Sequence, residues 1–196
     1  MAEGARSPGG ALKGLSEAAA LGRRGPAPVH LWSPPDCGDI DMRIVADGTW
    51  FYCGSPIGRL PLVQLFSSIL RKDGDRYVLV TPVEKVGIRV DDAPFLAVEM
   101  HVEDDRGDSR LTFRTNVEDI VTVDEQHPLR FERGAAEGLK PYVRVRDDLW
   151  ALVKRALFYD LVDLGTAERW RDDLWFGVRS SGVFFPMCPA SEIEGL

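Results

Sequence analysis

The chain has 196 residues, 44% of them hydrophobic and 28% charged, with three cysteines and a net charge of −7. That length fits one large domain or two small ones, with a core that needs no disulfide or metal staple. The acidic balance excludes a protein that wraps DNA or RNA, which requires a basic field.

Residues 1–28 are rich in Gly, Ala and Arg and are expected to form a flexible segment with one short helix around Ala11–Leu21. Val29-His30-Leu31-Trp32 is a small apolar cluster expected to dock on the folded body. Asp41–Val45 alternates in polarity, meets the turn pair Asp47-Gly48, and returns as Thr49–Cys53, a hairpin pattern. A helix is predicted from near Pro61, a residue suited to a first turn because it lacks an N–H. Leu62, Leu65, Phe66 and Ile69 then fall on one stripe at i, i+3, i+4 and i+7. Lys72–Asp75 turns the chain, and Tyr77–Thr81 and Val86–Val90 form a hairpin around Pro82–Lys85.

Asp91-Asp92 reads as a boundary. Beyond it come β segments at Phe95–Val102, Arg110–Thr115, Asp119–Val123, Leu129–Phe131 and Tyr142–Arg146. A second helix is predicted from Asp148 as N-cap to about Leu164, with Leu149, Leu152, Val153, Ala156 and Leu157 on one face and Gly165 as its stop. Leu174–Arg179 and Val183–Phe185 close the fold as a hairpin around Ser180-Ser181-Gly182. The expected organisation is a flexible segment at 1–28, a first unit at 29–92, a second at 93–190 and a tail at 191–196. Both units read as strand, helix, hairpin: WFYCG–helix–YVLVT–VGIRV and YVRVR–helix–LWFGV–VFF. The fold class is α+β with two repeated strand-helix-hairpin units. A doubly wound parallel sheet is disfavoured because the strand–helix alternation does not continue. Leu62, Phe66, Ile69, Leu152, Val153 and Leu157 are the predicted core positions.

Cys37, Cys53 and Cys188 are odd in number, widely spaced and form no C-x-x-C pair, which points to a reducing cytoplasm rather than a disulfide framework. No apolar h-region is found near the start, and no window approaches the roughly 18 apolar residues of a membrane span. His30, His101 and His127 are scattered, so no metal and no cofactor are expected.

Two polar loops carry the candidate site. Gly54-Ser55-Pro56-Ile57-Gly58-Arg59 precedes a helix start, where unpaired amides favour an anion. It lacks the Lys-Ser/Thr ending of a P-loop. Thr81-Pro82-Val83-Glu84-Lys85 is the neighbouring loop. With the helix packed back on its sheet, both loops are expected at one edge. The ligand-binding set is therefore Ser55, Arg59, Glu84 and Lys85 from the first unit and Arg144 or Arg179 from the second. Arginine grips two oxygens at once, whereas lysine offers a point charge. The plainer readings are a connector, a solvated hairpin tip and surface ion pairs. Glu84 and Lys85 have no recognisable catalytic partner, so no enzyme is expected.

CGDIDMRI, WFYCGSPIGR, LVQLFSSIL, LVTPVEKVGIRV, DAPFLAVEM and HPLRF, in that order, resemble a bacterial family labelled domain of unknown function 1285. The resemblance runs from Val29 to Phe185. It implies a duplicated α+β fold whose second half superficially resembles pleckstrin-homology domains, and a ligand site between the halves for a nucleotide-like molecule in signalling. The reading from residues and resemblance together is a cytoplasmic regulatory or sensor protein for a small anionic ligand. The alternative is a signalling module that binds a protein partner, with no small-molecule ligand. Specific nucleic-acid binding and membrane association are not expected.

Overall fold

The computed structural model describes residues 26–105, 108–134 and 138–193. The helix expected around Ala11–Leu21, and most of the 1–28 segment, lie outside them. The chain divides between Asp91 and Asp92 into two compact units, each α+β.

In the first unit a 3-10 turn at Val29–Leu31 leads into β1 (Asp36–Ile44), β2 (Trp50–Tyr52), β3 (Ser55–Pro56), helix α1 (Leu60–Ser68), β4 (Leu70–Asp73), β5 (Arg76–Val80) and β6 (Lys85–Val90). The sheet order is β3-β2-β1-β6-β5-β4. β1 pairs antiparallel with β2 through the Asp47-Gly48 turn and parallel with β6. The Val29–Trp32 cluster docks as the sequence suggests, through Arg71, whose Nη1 donates to the carbonyls of Val29 (2.7 Å) and Trp32 (2.8 Å). The same guanidinium grips Asp73, which also takes Lys85 Nζ at 2.9 Å. Gly87 has a packing reason: the Arg76 guanidinium, paired with Asp36 and Asp39, lies across it where a Cβ would stand.

The helix presents Val63, Phe66 and Ser67 to the core, joined by Ile69 at its C-cap. Leu62 and Leu65 stay half-buried, so the buried face is rotated from the predicted stripe. Phe66 stacks on fully buried Trp50, ring centroids 6.1 Å apart. The sequence gives no sign of β4, because the chain passes from helix to strand at Ile69 without a turn residue.

The second unit holds β7 (Phe95–Asp105), β8 (Asp108–Thr115), β9 (Ile120–Thr122), β10 (Leu129–Arg133), β11 (Leu139–Arg146), β12 (Leu149–Val153), α2 (Arg155–Asp163), β13 (Thr166–Trp170), β14 (Asp173–Ser180) and β15 (Val183–Pro189). A six-stranded sheet runs β10-β11-β12-β7-β8-β9, and β13-β14-β15 form a separate three-stranded sheet. The two sheets are tied at the Ser180-Ser181 turn. Buried Ser180 Oγ donates to the Val123 carbonyl (2.7 Å) and accepts from Leu111 N (3.0 Å), and Ser181 N reaches the Ser109 carbonyl.

The helix predicted from Asp148 does not begin there. Asp147 takes a positive φ of 44° and turns a hairpin, so Asp148 caps nothing and Leu149–Val153 is a strand. Leu149, Ala151 and Val153 are buried while Trp150 and Leu152 are half-buried, a period of two. The helix starts after Lys154, and its fully buried residue is Leu161, with Leu157 half-buried. Gly165 is small because the Phe176 ring occupies the place of a Cβ.

The duplication lies in the sheets. β1-β2-β3 and β4-β5-β6 are two three-strand runs joined by a parallel pairing of the first strand with the sixth. β7-β8-β9 and β10-β11-β12 repeat that arrangement, with β7 parallel to β12. The helix sits differently in each. α1 connects the two runs of the first unit, whereas α2 follows the completed six-strand set and leads to the extra sheet.

Candidate functional site

The Gly54–Arg59 stretch is less of an open loop than its composition suggests. Cys53 (φ 47°) and Gly54 (φ 73°) form a tight left-handed turn, and Ser55-Pro56 fold back on β2 as β3. Ile57 N then donates to the Trp50 carbonyl at 2.7 Å. At the start of α1, Leu62 N and Val63 N both bond the Arg59 carbonyl, and Pro61 has no N–H. The Ile57 amide and the Leu62 and Val63 amides of the helix start are thus bonded within the chain. Ser55 and Arg59 are exposed, and Arg59 enters no ion pair among the described residues.

The second loop is knotted around buried Thr81. Its N donates to the Glu84 carbonyl (2.9 Å), while its Oγ1 donates to the same carbonyl (3.2 Å) and accepts from Glu84 N (3.2 Å). This fixes the Glu84 backbone. Lys85 turns to Asp73. The Arg71 guanidinium, with Lys85 beside it, outweighs burial and pulls the Asp73 carboxyl down to about 2.

The two loops do meet. Ile57 from the first and Thr81 and Glu84 from the second line one cavity of about 170 Å³ between α1 and the sheet. Its walls are otherwise apolar or aromatic: Ile40 and Met42 of β1, Tyr52, Leu62 and Phe66 of α1, and Leu79 and Val86 across the sheet. Burial pushes the Tyr52 phenol up, so it stays protonated. Of the six candidate residues only Glu84 lines this cavity. Ile40 and Met42 escaped notice, although the alternation of Ile40, Met42 and Ile44 already places them on one face of β1.

The second unit's candidates are committed elsewhere. Arg144 Nε donates to the Asp147 carbonyl of its own hairpin turn. Arg179 grips Glu168 with two nitrogens, at 2.6 and 2.8 Å, and donates to the Gly182 carbonyl. That guanidinium holds the Glu168 carboxyl below its ordinary range. This unit has a larger groove of about 740 Å³ beside α2, lined by Phe158, Tyr159, Val162, Phe176, Met187 and Cys188 among others. Burial pushes the Cys188 thiol up, away from reactivity at neutral pH. Among the described residues no group of three or more His, Cys, Asp and Glu is placed to hold a metal, and no helix is long and apolar enough to cross a membrane.

Comparison with known proteins covers both units. Residues 27–93 match the family model described as the domain of unknown function DUF1285, N-terminal domain, and residues 94–187 match its C-terminal domain. A crystal structure of a DUF1285 family protein from Silicibacter pomeroyi DSS-3 is similar at 53% identity and a TM-score of 0.84, covering 92% of this chain and 97% of that one. A DUF1285 family protein from Shewanella baltica OS155 is similar at 30% identity and a TM-score of 0.50, covering 62% of this chain and 90% of that one. No curated protein matches the chain.

Proposed function

The chain belongs to the DUF1285 family, and from that premise we propose that it is a cytoplasmic regulatory protein whose first unit binds a small molecule. One observation carries the reading: both polar loops deliver side chains to the same cavity under α1. Ligand sites are concave and mostly apolar, with a few polar groups that fix orientation, and this cavity has that make-up. A cavity of about 150 Å³ takes a benzene ring, so the apolar body of the ligand is of that order. The anionic character expected from the sequence now rests on Arg59 alone. Lys85 and Arg179 are paired with carboxylates and Arg144 with its own turn. On this reading an acidic group of the ligand lies outside the cavity, beside exposed Arg59 before α1. Regulation would follow if the ligand binds two states of the protein with different affinity.

The test is a thermal-shift panel of nucleotides, small aromatic and aliphatic acids, alcohols and amines. A ligand at about 100 times its Kd stabilises by about 2.7 kcal/mol. Leu62→Phe, which fills the cavity from a half-buried position, is expected to abolish the shift. Arg59→Ala is expected to weaken acids only and to leave the unliganded Tm unchanged. The second reading, a protein-interaction module, is favoured by the groove beside α2, where Tyr159 is 54% exposed. It takes over if the whole panel gives no shift.

A further inference from the structure

Independently of the cavity under α1, we infer that the groove beside α2 is a second binding site. It takes an apolar carboxylate, with the tail along the helix and the head at Arg155. Two hollows, of about 430 and 740 Å³, share Gly138, Leu139, Phe158 and Tyr159, and so form one groove. Both volumes fall in the range of small-molecule sites. The far hollow is walled by Val162, Phe176 and Met187, and the near one holds Lys140 and Arg155. From Arg155 to Val162 the helix rises about 10 Å, which suits an extended tail.

The lining is cationic although the chain as a whole carries a net charge of −7. Its described charged residues are Arg133, Lys140 and Arg155 against Glu192 alone. Arg133 and Glu192 pair at 2.6 Å, and Lys140 pairs with Asp92 at 2.5 Å. Arg155 differs from the other two cations. Its Nε donates to the Tyr159 hydroxyl at 2.9 Å, one helical turn on, and its guanidinium lies 5.8 Å from the centre of that ring. Tyr159 lines both hollows, so this contact holds the guanidinium at the groove. Its terminal nitrogens meet no carboxylate among the described residues. An arginine fork matches the two oxygens of a carboxylate. An amine at this end would meet a like charge, and an alcohol offers one oxygen and no charge.

The experiment uses the full chain and three probes of one framework: octanoate, octanol and octylamine, below their micellar range. Binding is followed by ligand-observed NMR titration at neutral pH. Octanoate is expected to bind about fivefold tighter than octanol, the size of a partly exposed ion pair, and octylamine weakest. Arg155→Gln is expected to bring octanoate to the level of octanol and to leave octanol unchanged. Val162→Phe, which narrows the tail end from a half-buried position, is expected to weaken all three. If acid and alcohol bind the native chain equally, or if Arg155→Gln weakens both alike, the carboxylate assignment is overturned. If Leu62→Phe removes octanoate binding and Val162→Phe does not, the acid sits under α1: the groove site falls and the cavity reading stands. If none of the three binds, the groove site falls whatever the cavity binds, and the groove is left to a protein partner.

Discussion

Among the described residues of the first unit, Asp73 is the most heavily used carboxylate. It accepts from Arg71 and Lys85, and Arg71 in turn holds the carbonyls of Val29 and Trp32. Ordinary aspartate titrates near 3.8 and this one near 2, because the Arg71 guanidinium stabilises its charged form. A carboxyl depressed by folding contributes stability that is fully present above its unfolded value and lost as pH falls through its folded value. Asp73→Asn is therefore expected to cost about 1 kcal/mol at pH 7, after allowance for solvent screening at a partly exposed site. Urea melts of the two proteins should converge as pH is lowered from about 4 toward 2. A constant gap across that range would show that the mutation acts through packing instead. Lys85 also illustrates why the charge of the site was hard to read from sequence. The loop shows a cation, but its partner Asp73 lies on β4, a different strand, and nothing near Lys85 in the chain points to it.

Helix α1 is short, and its stability comes from the face it buries rather than from its own propensity. Phe66 is 5% exposed, stacks on Trp50 and forms part of the cavity wall. Phe66→Ala is expected to cost about 3–5 kcal/mol in denaturant melts, and a loss under about 1 would mean that the helix does not pack this way. This helix was legible because its apolar residues recur at 3.6 and a proline marks its start. Helix α2 was legible only in its second half. Leu149–Val153 is a short apolar run, and such runs fit a strand and a helix alike until a pairing partner decides. β11 and β7 on either side supply that decision. β13 was missed for a related reason: Thr166–Trp170 is an edge strand, largely exposed, with no apolar alternation to mark it. The candidate site followed the same rule. Ile57, Thr81 and Glu84 belong to the two polar loops and were reachable from them. Leu79 and Val86 joined them through strand pairing, which composition does not encode.

At the scale of the whole molecule, the repeat of two three-strand runs closed by one parallel pair explains why the chain looks duplicated without repeating its sequence. Topology and burial pattern recur, while the residues and the helix position do not. Every strand ladder of residues 92–193 lies within the second unit. Its buried positions include Phe95, Phe113, Leu149 and Leu161, all under 2% exposed. Asp92 itself is held from inside that unit, by Lys140 at 2.5 Å and by the Tyr142 hydroxyl at 2.7 Å. A unit with its own core, its own ladders and a satisfied first residue meets the conditions for folding alone. A fragment spanning residues 92–196 is therefore expected to unfold cooperatively in urea and to give a dispersed amide spectrum. The first unit, described over residues 26–91, has the smaller described body and is expected to be the less stable fragment. A fragment 92–196 with a collapsed spectrum and no transition would show that the second core depends on the first unit. Leu149 and Leu161 would then need to be read as part of a single folding unit rather than as the centre of their own.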